Sequence, residues 1–599
     1  MPTASNPTPI AHSQLGYRPG SPRWLTLPAC AESANWPERI PFYVRNALHR
    51  LPRTITTPEP WNSTYFRWPY DLMNGTLQPE KGKVIQSGEL RRIESRWGTF
   101  WQGQIEGLTT EAVYQVETQH SATFPFQVWE RIYDRLPRGF LIYLRAQRSG
   151  MGTPGVRDAH HVDDAVLDTD RTQIAASGGW NDAGDHRKWM FLTQPNLMAL
   201  ADIVERGLPS FREDALAEIA WGNKFFHSMI SPEGQVWEDV GGGTLKAGID
   251  PVRGWWFDNH PGCNCNSSGG PLTDNIPGSG DERLVRTFYN PFIQYYFVQC
   301  QARLARVLPH GDGASCRILA ERAWRYGQAR GHDGRTLFLA GELGAAIELL
   351  ETTGAVEVSV IEALATRLLE RQVAEGEGLH GYFMEAGDSD GYRSIAFSAE
   401  PALVLLRLAT SNHPKLVHSP LRTYAAEAVC RYIEGYVLAD ARSNPFGIGP
   451  YGVYVEQPHN THQLFRDAGR GRGVRTFIHP YNWQQIVHGT HSVVAHQAWL
   501  LAWAATVMKR PDWRDAAERM LQWSCGHNPE ATSLFMGFGC RHPTPFSAHV
   551  ANLPEACVVG HIGRPDDTPY LDMGPLIEWS TQEVWDVPHA WTVRATAWL

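Results

Sequence analysis

The sequence predicts a mainly α-helical protein: a small β-sandwich, residues 1–127, followed by a large helical unit, residues 128–599. Three observations carry this. Up to about residue 127, short β-like runs alternate with clusters of Pro, Gly, Ser and Asn. From Trp129 onward, twelve segments show apolar residues at helical spacing. The stretches 231–285 and 440–488 lack that spacing and read as long loops on one rim, where function usually sits. Twelve helices joined as hairpins close into two concentric rings of six, an (α/α)6 barrel.

The strand-like runs are Arg23–Ala29, Phe42–Asn46 and Ala112–His120. In the last, Tyr114, Val116 and Thr118 alternate with Gln115 and Glu117, the period of a half-buried strand. Helices are expected near 130–146, 195–206, 212–229, 286–308, 314–329, 336–352, 358–374, 395–410, 420–438, 491–508, 512–525 and 585–598. The pair at 491–525 shows the logic. Trp513, Ala517, Met520, Leu521 and Ser524 fall on one face, Asp512 after Pro511 is a candidate cap, and Gly526 closes the helix. The short turn between the two helices implies antiparallel packing.

A chain of 599 residues is too long for one core. With 42% hydrophobic and 20% charged residues it has ordinary globular composition, and a net charge of −9 argues against nucleic-acid binding. No run of 18 apolar residues exists, so no membrane span is expected. Met1 to Ser13 show no basic region followed by an apolar one, which points to the cytoplasm, or to a lost leader for a secreted or periplasmic protein. The nine cysteines are scattered and odd in number, as suits reduced thiols, and Cys263 with Cys265 lacks the spacing of a zinc pair. The 23 tryptophans, 20 tyrosines and 23 phenylalanines exceed ordinary need and suit stacking on sugar rings. Oligomeric state is not legible.

The densest motif is Ser177-Gly178-Gly179-Trp180-Asn181-Asp182-Ala183-Gly184-Asp185-His186. Two carboxylates three residues apart, in a loop whose glycines permit sharp turns, can hold and deprotonate a water, with an aromatic ring for a sugar's C–H face. The same pair alone also suits a turn or helix cap. In its full context the segment resembles the nucleophilic-water motif of glycoside hydrolase family 9, many of whose members are inverting cellulases. Leu15-Gly16-Tyr17-Arg18-Pro19 and Phe124-Pro125-Phe126 resemble the boundaries of the immunoglobulin-like module that precedes the catalytic domain in many members.

The resemblance implies inverting hydrolysis of a β-glycosidic bond, with Asp185 as base and Asp182 helping to hold the water. Inversion needs a protonated carboxyl on the other side of the bond, at roughly 6.5–9.5 Å. Trp579-Ser580-Thr581-Gln582-Glu583-Val584 resembles the family's general-acid motif, which makes Glu583 the acid, with Glu578 a competitor on proximity alone. Asp572 resembles the aspartate preceding the acid, displaced by two residues. Trp585 and His589 stand where a small residue and an asparagine are usual. Cys525-Gly526-His527-Asn528-Pro529, Ser533–Gly539 and Arg541 also match, but Ser547 and His549 replace the substrate-binding His and Arg. Arg541, His542 or His549 would then serve instead.

The chemistry requires no cofactor. Some family members hold zinc near the barrel's start. Here Ser149-Gly150 and His160-His161 occupy the corresponding positions, and loss of both thiolates argues against a zinc site. Asp163, Asp164, Asp388 and Asp390 are candidate calcium ligands, or simply an acidic loop. Trp180, Trp255, Trp256, Tyr382 and Trp483 are candidate sugar-stacking rings, each equally a candidate for the core. His479, His488 and His491 cluster with Tyr481 and Trp483 as a polar sugar-binding surface. The expected ligand is an oligo- or polysaccharide, a short or substituted β-glycan rather than long cellulose. Two alternatives differ in class: an (α/α)6 polysaccharide lyase, which needs a Tyr or His base, and a non-catalytic carbohydrate-binding relic. Retention of all three carboxylates argues against both.

Overall fold

The computed structural model describes residues 9–48, 82–154, 156, 158–207, 209–241, 274–386, 390–455, 462–479, 487–545, 553–574 and 579–599. Its N-terminal part is one antiparallel sheet of β1 (Trp24–Pro28), β2 (Arg39–Leu48), β3 (Val84–Ser95), β4 (Gly98–Gln104), β5 (Ala112–Glu117) and β6 (Phe126–Val128), in the order β1-β4-β3-β2-β5-β6. Alternate residues of every strand meet in one core: Leu25 and Leu27, Ile40 and Phe42, Leu90, Trp101, Tyr114 and Val116, Phe126 and Val128. β3 and β4 are absent from the sequence reading. Only Leu90 of β3 is buried, so its charged face hides the period on which such a reading depends.

The twelve expected helices are all present. They are α1 (Arg135–Gln147), α2 (Met190–Arg206), α3 (Pro209–Phe226), α4 (Pro291–Val307), α5 (His310–Arg330), α6 (Thr336–Thr353), α7 (Val358–Leu369), α8 (Glu400–Thr410), α9 (Leu421–Tyr432), α10 (His491–Met508), α11 (Pro511–Ser524) and α12 (Asp586–Thr596). α9 continues through a π-helical turn, Ile433–Val437, to Ala441. The even-numbered helices touch in sequence, and α12 returns to α2, so they close an inner ring. The odd-numbered helices pack outside it. α10 is buried on nearly every face, as an inner position demands, whereas α11 buries Trp513, Ala517, Met520, Leu521 and Ser524 and leaves its other face polar. Its cap differs from expectation. Arg510 is the N-cap residue, and Asp512 lies inside the first turn, where it accepts from the Arg510 guanidinium at 2.8 Å.

The helix ends give the barrel two unlike rims. The inner helices begin on one rim and end on the other. Partial negative charge on the terminating carbonyls calls for cations. Arg206, Arg303, Arg306, Arg407 and Arg594 supply them around a cavity of about 650 Å³. Those arginines are already engaged: Arg303 and Arg594 on Asp202, Arg306 and Arg407 on Glu348, and Arg206 over the Trp598 ring at 3.6 Å. The opposite rim, where the inner helices start, carries two small sheets, built in part from the stretches expected to be loops. The first joins β7 (Val166–Leu167), β8 (Lys188–Trp189), β9 (Asp239–Gly241) and β10 (Leu284–Arg286) in the order β7-β10-β9-β8. The second joins β11 (Gly452–Tyr454), β12 (Arg466–Gly469) and β13 (Arg472–Arg475). Among the described residues no helix is long and apolar enough to cross a membrane.

Candidate active site

The loop Ser177–Arg187 leads into β8 and α2 and is held from every side. Gly178 and Gly179 adopt φ of +104° and +69°, conformations that side chains disfavour, and a Cβ on Gly179 would lie 2.7 Å from the Phe225 ring. From α1, Gln147 receives the Asn181 N–H at its carbonyl (2.9 Å) and donates its side chain to the Ala183 carbonyl (2.9 Å). From α3, Trp221 Nε1 donates to the Gly179 carbonyl at 2.8 Å. Buried Lys188 donates to the Ala176 carbonyl at 2.6 Å and pairs with Asp164 at 2.7 Å.

The two aspartates of this loop occupy different surroundings. Asp182 is buried and accepts the Trp189 N–H at 3.2 Å. Burial, with the Asp185 charge next in weight, pushes its carboxyl well above the usual range. Asp185 is partly exposed and accepts the Arg187 N–H at 3.3 Å. Arg187 is fully buried, bonds Asp239 through Nε at 2.8 Å, and its charge acts on both aspartates.

Glu583 reaches the same rim from the C-terminal end of the chain. Its carbonyl accepts the Val559 N–H at 2.8 Å. Its carboxylate lies 2.6 Å from His488 Nε2 and accepts from Trp585 Nε1 at 3.1 Å. Ala183 and Trp585 form an antiparallel bridge, and the Asp586 N–H donates to the Asp182 carbonyl at 3.1 Å. The Asp loop and the Glu583 segment are therefore zipped together by backbone. Beneath them, Tyr143 and Asn196 donate to Asp586 at 2.7 and 2.6 Å, and burial raises that carboxyl to about 8.

Several candidate residues sit elsewhere. Trp180 is fully buried, packed on Gly222 and Phe226 with Nε1 on Glu218 at 3.2 Å, so it is core and offers no face to a sugar. Tyr382 is also buried, against Tyr436, with its hydroxyl held by Arg472 at 2.6 Å. Asp572 binds the Gly574 N–H at 2.6 Å and Gln582 through its carbonyl, organising the turn before Glu583. Arg541 and His542 are partly exposed, and the Arg541 N–H donates to Gln14 Oε1 at 3.0 Å. Of the histidine cluster, His491 turns inward to the Val558 carbonyl and His479 to the Gly563 carbonyl, while His488 alone meets Glu583. Trp255, Trp256, Trp483, Tyr481, Ser547, His549 and Glu578 lie outside the described residues.

Sequence reasoning placed His488 in a sugar-binding cluster but not beside Glu583, and it missed Asp586, Asn196, Arg187 and Trp189. The Trp189 ring is partly exposed beside the Asp pair, with Nε1 on Glu238 at 2.7 Å. Trp189 follows Asp185 by four residues, so its proximity was the one available signal. Among the described residues the proposed calcium ligands have separate commitments. Asp164 is taken by Arg283 and Lys188, Asp390 pairs with Arg393, and Asp388 lies outside the described residues. Asp163 instead meets Asp274 and Asp281, each offering one oxygen within 4.8 Å of the others, an all-oxygen set of the kind hard cations use. The imidazoles of His160, His161 and His186 gather with ring centroids 4.4–5.7 Å apart.

With this geometry in view, the comparisons with known proteins are direct. Residues 133–266, which include the Asp loop, match the model of glycosyl hydrolase family 9. A metagenome-derived glycoside hydrolase family 9 endoglucanase superposes with a TM-score of 0.66 at 19% identity, covering 98% of each chain. The chain carries the family 9 fold. A thermostable endoglucanase from Alicyclobacillus acidocaldarius, solved as a single mutant, gives 0.66 at 17% identity over 99% of each chain. A third family 9 fold, solved with cellobiose-like isofagomine, gives 0.63 at 17% identity over 98% of this chain and 99% of that one. No curated protein matches the chain in sequence. At such identities the family 9 fold is common ground, and the site must be argued from its own residues.

Proposed function

We propose that this chain is an inverting β-glycoside hydrolase in which Asp185 is the base, Asp182 helps hold the attacking water, and Glu583 is the general acid. The observation that carries the reading is the backbone zipper between residues 182–183 and 585–586. It brings the Asp pair and Glu583 to one rim although they lie at opposite ends of the barrel's sequence. The base must be ionised, and partial exposure with the Arg187 charge nearby favours that form at Asp185. Raised above the usual range, Asp182 instead suits a hydrogen-bonding role toward water. Asp185 then takes a proton from water as its oxygen bonds the anomeric carbon, while Glu583 protonates the departing glycosidic oxygen.

Proton NMR of the first-formed anomer tests the mechanism. An α product from a β-linked substrate is expected, and a β product overturns inversion.

For substrate, we propose a short, substituted or differently linked β-glycan oligosaccharide. Trp180 and Tyr382 are core residues, so neither furnishes a sugar-stacking subsite, and bulky Trp585 stands beside the acid. The relative solved with cellobiose-like isofagomine supports a β-linked sugar in general terms. A panel of β-glucan, cellodextrins, chitooligosaccharides, glucosamine oligomers and decorated glycans decides the point. Efficient endo-cleavage of carboxymethyl cellulose would refute the preference for short substrates.

A further inference from the structure

An acid that surrenders a proton at every turnover must be reloaded, and Glu583 is poorly placed to draw on solvent directly. Its side chain is 6% exposed, against 25% for His488, whose Nε2 stands 2.6 Å from the Glu583 carboxylate. Trp585 fixes both partners: Nε1 donates to the same carboxylate oxygen, and the indole lies 4.6 Å from the His488 ring. Other titratable groups on the elements packed around His488 have different commitments. His491 turns to the Val558 carbonyl and the Cys557 thiol, and His561 pairs with Glu530 at 2.7 Å. Asp182 and Asp185 belong to the loop bridged to Trp585, and Asp182 is held by the Trp189 N–H.

Resting on the acid role proposed for Glu583, we infer that His488 is its proton relay, a positioning residue that shares the acidic proton and replaces it after each cycle. In the resting pair one proton bridges Glu583 Oε2 and His488 Nε2, with the imidazole otherwise neutral. During cleavage that proton passes to the glycosidic oxygen, which keeps the electron pair of the broken C–O bond. Glu583 is left as carboxylate, and Asp185 holds the proton taken from water. The more exposed imidazole then accepts a proton from solvent and delivers its Nε2 proton to Glu583, while Asp185 releases its own to solvent. The sum is glycoside plus water giving two sugars. The bulky indole of Trp585 thereby acquires a function, since it aligns the two groups.

The test compares leaving groups. 2,4-Dinitrophenolate departs without protonation, whereas a sugar alkoxide does not. Cellotetraose and 2,4-dinitrophenyl β-cellobioside serve as the pair, or the equivalent pair for whichever sugar the panel selects. His488→Gln keeps an N–H toward Glu583 but cannot carry a proton. It should lower kcat on the oligosaccharide by about 10²-fold, with KM little changed, and alter the dinitrophenyl reaction by no more than about threefold. Equal losses on both substrates, or no loss on the oligosaccharide, overturn the relay. Glu583→Gln on the same pair separates this from the underlying reading: if it spares the oligosaccharide, the acid assignment itself falls. Should His488→Gln fail to fold, the wild type still decides. The alkaline limb of its kcat/KM profile should shift with temperature as an imidazole does, and a limb as temperature-insensitive as a carboxylate overturns the relay.

Discussion

Asp185 and Asp182 share a loop yet differ in the property that decides their use, exposure to solvent. Asp185→Asn should reduce kcat by at least 10²–10⁴-fold, roughly the scale of a lost general base, with ligand affinity by calorimetry retained. Asp182→Asn should cost less, because an amide still hydrogen-bonds water. Normal turnover by the Asp185 variant would remove the base from the scheme. As candidates, these two residues and Glu583 were legible because each lies in a contiguous motif whose spacing survives in the linear chain. His488 and Asp586 were not legible as partners. Asn196 meets Asp586 across 390 residues, and no local pattern encodes a hydrogen bond of that span. Trp180 was left between sugar-binding ring and core for a related reason: its place in the motif looks like a binding ring, while its burial is decided by α3.

That contact also shows what the helices demand of one another. A Cβ on Gly222 of α3 would lie 2.2 Å from the Trp180 ring, so the helix can approach the Asp loop only at a residue without a side chain. Gly222→Ala should therefore destabilise by about 1–3 kcal/mol, the usual range for overpacking, visible as a lower urea midpoint with unchanged helical circular dichroism. A midpoint equal to wild type would mean that the ring or the helix yields freely. All twelve helices were legible because each carries its own apolar spacing. Strand β3 was not, since a strand with a single buried position has too few apolar residues to show alternation. The caps were equally opaque: Asp512 can serve as a cap or sit in the first turn, and the chain's approach through Arg510 decides which.

Across the whole molecule, the N-terminal region is latched to the far end of the chain. Gln14 accepts the N–H groups of Cys540 and Arg541 and donates to the Ala531 carbonyl at 2.8 Å, while Arg96 pairs with Asp567 at 2.7 Å. Gln14→Ala leaves two buried donors unanswered, at about 1–3 kcal/mol. It should lower Tm and increase amide exchange at Cys540 and Arg541; unchanged exchange there would show that the latch is dispensable. Acid stability is set by buried imidazoles. Burial lowers His589 to about 3 and His491 to about 4. Above the unfolded value of 6.5 both states are neutral and their contribution is complete. As pH falls below 6.5 the unfolded chain binds protons that the fold refuses, and stability drains until the folded values are reached. His589→Asn should flatten the loss of denaturation free energy between pH 6.5 and about 3, and a slope equal to wild type would exclude this ring as a source.

The zipper that joins the Asp loop to the Glu583 segment has a consequence for how the enzyme comes into being. Residues 182–183 leave the ribosome long before their bridge partner Trp585. The inner ring itself closes only when α12 returns to α2. A nascent chain therefore carries the Asp loop through most of the barrel's synthesis without the Glu583 segment that is to lie beside it. The rim is assembled only when one late strand-like segment and one late helix dock. Deletion of α12 should leave most of the helices able to collapse yet silent toward glycosides, so that activity would report closure of the ring.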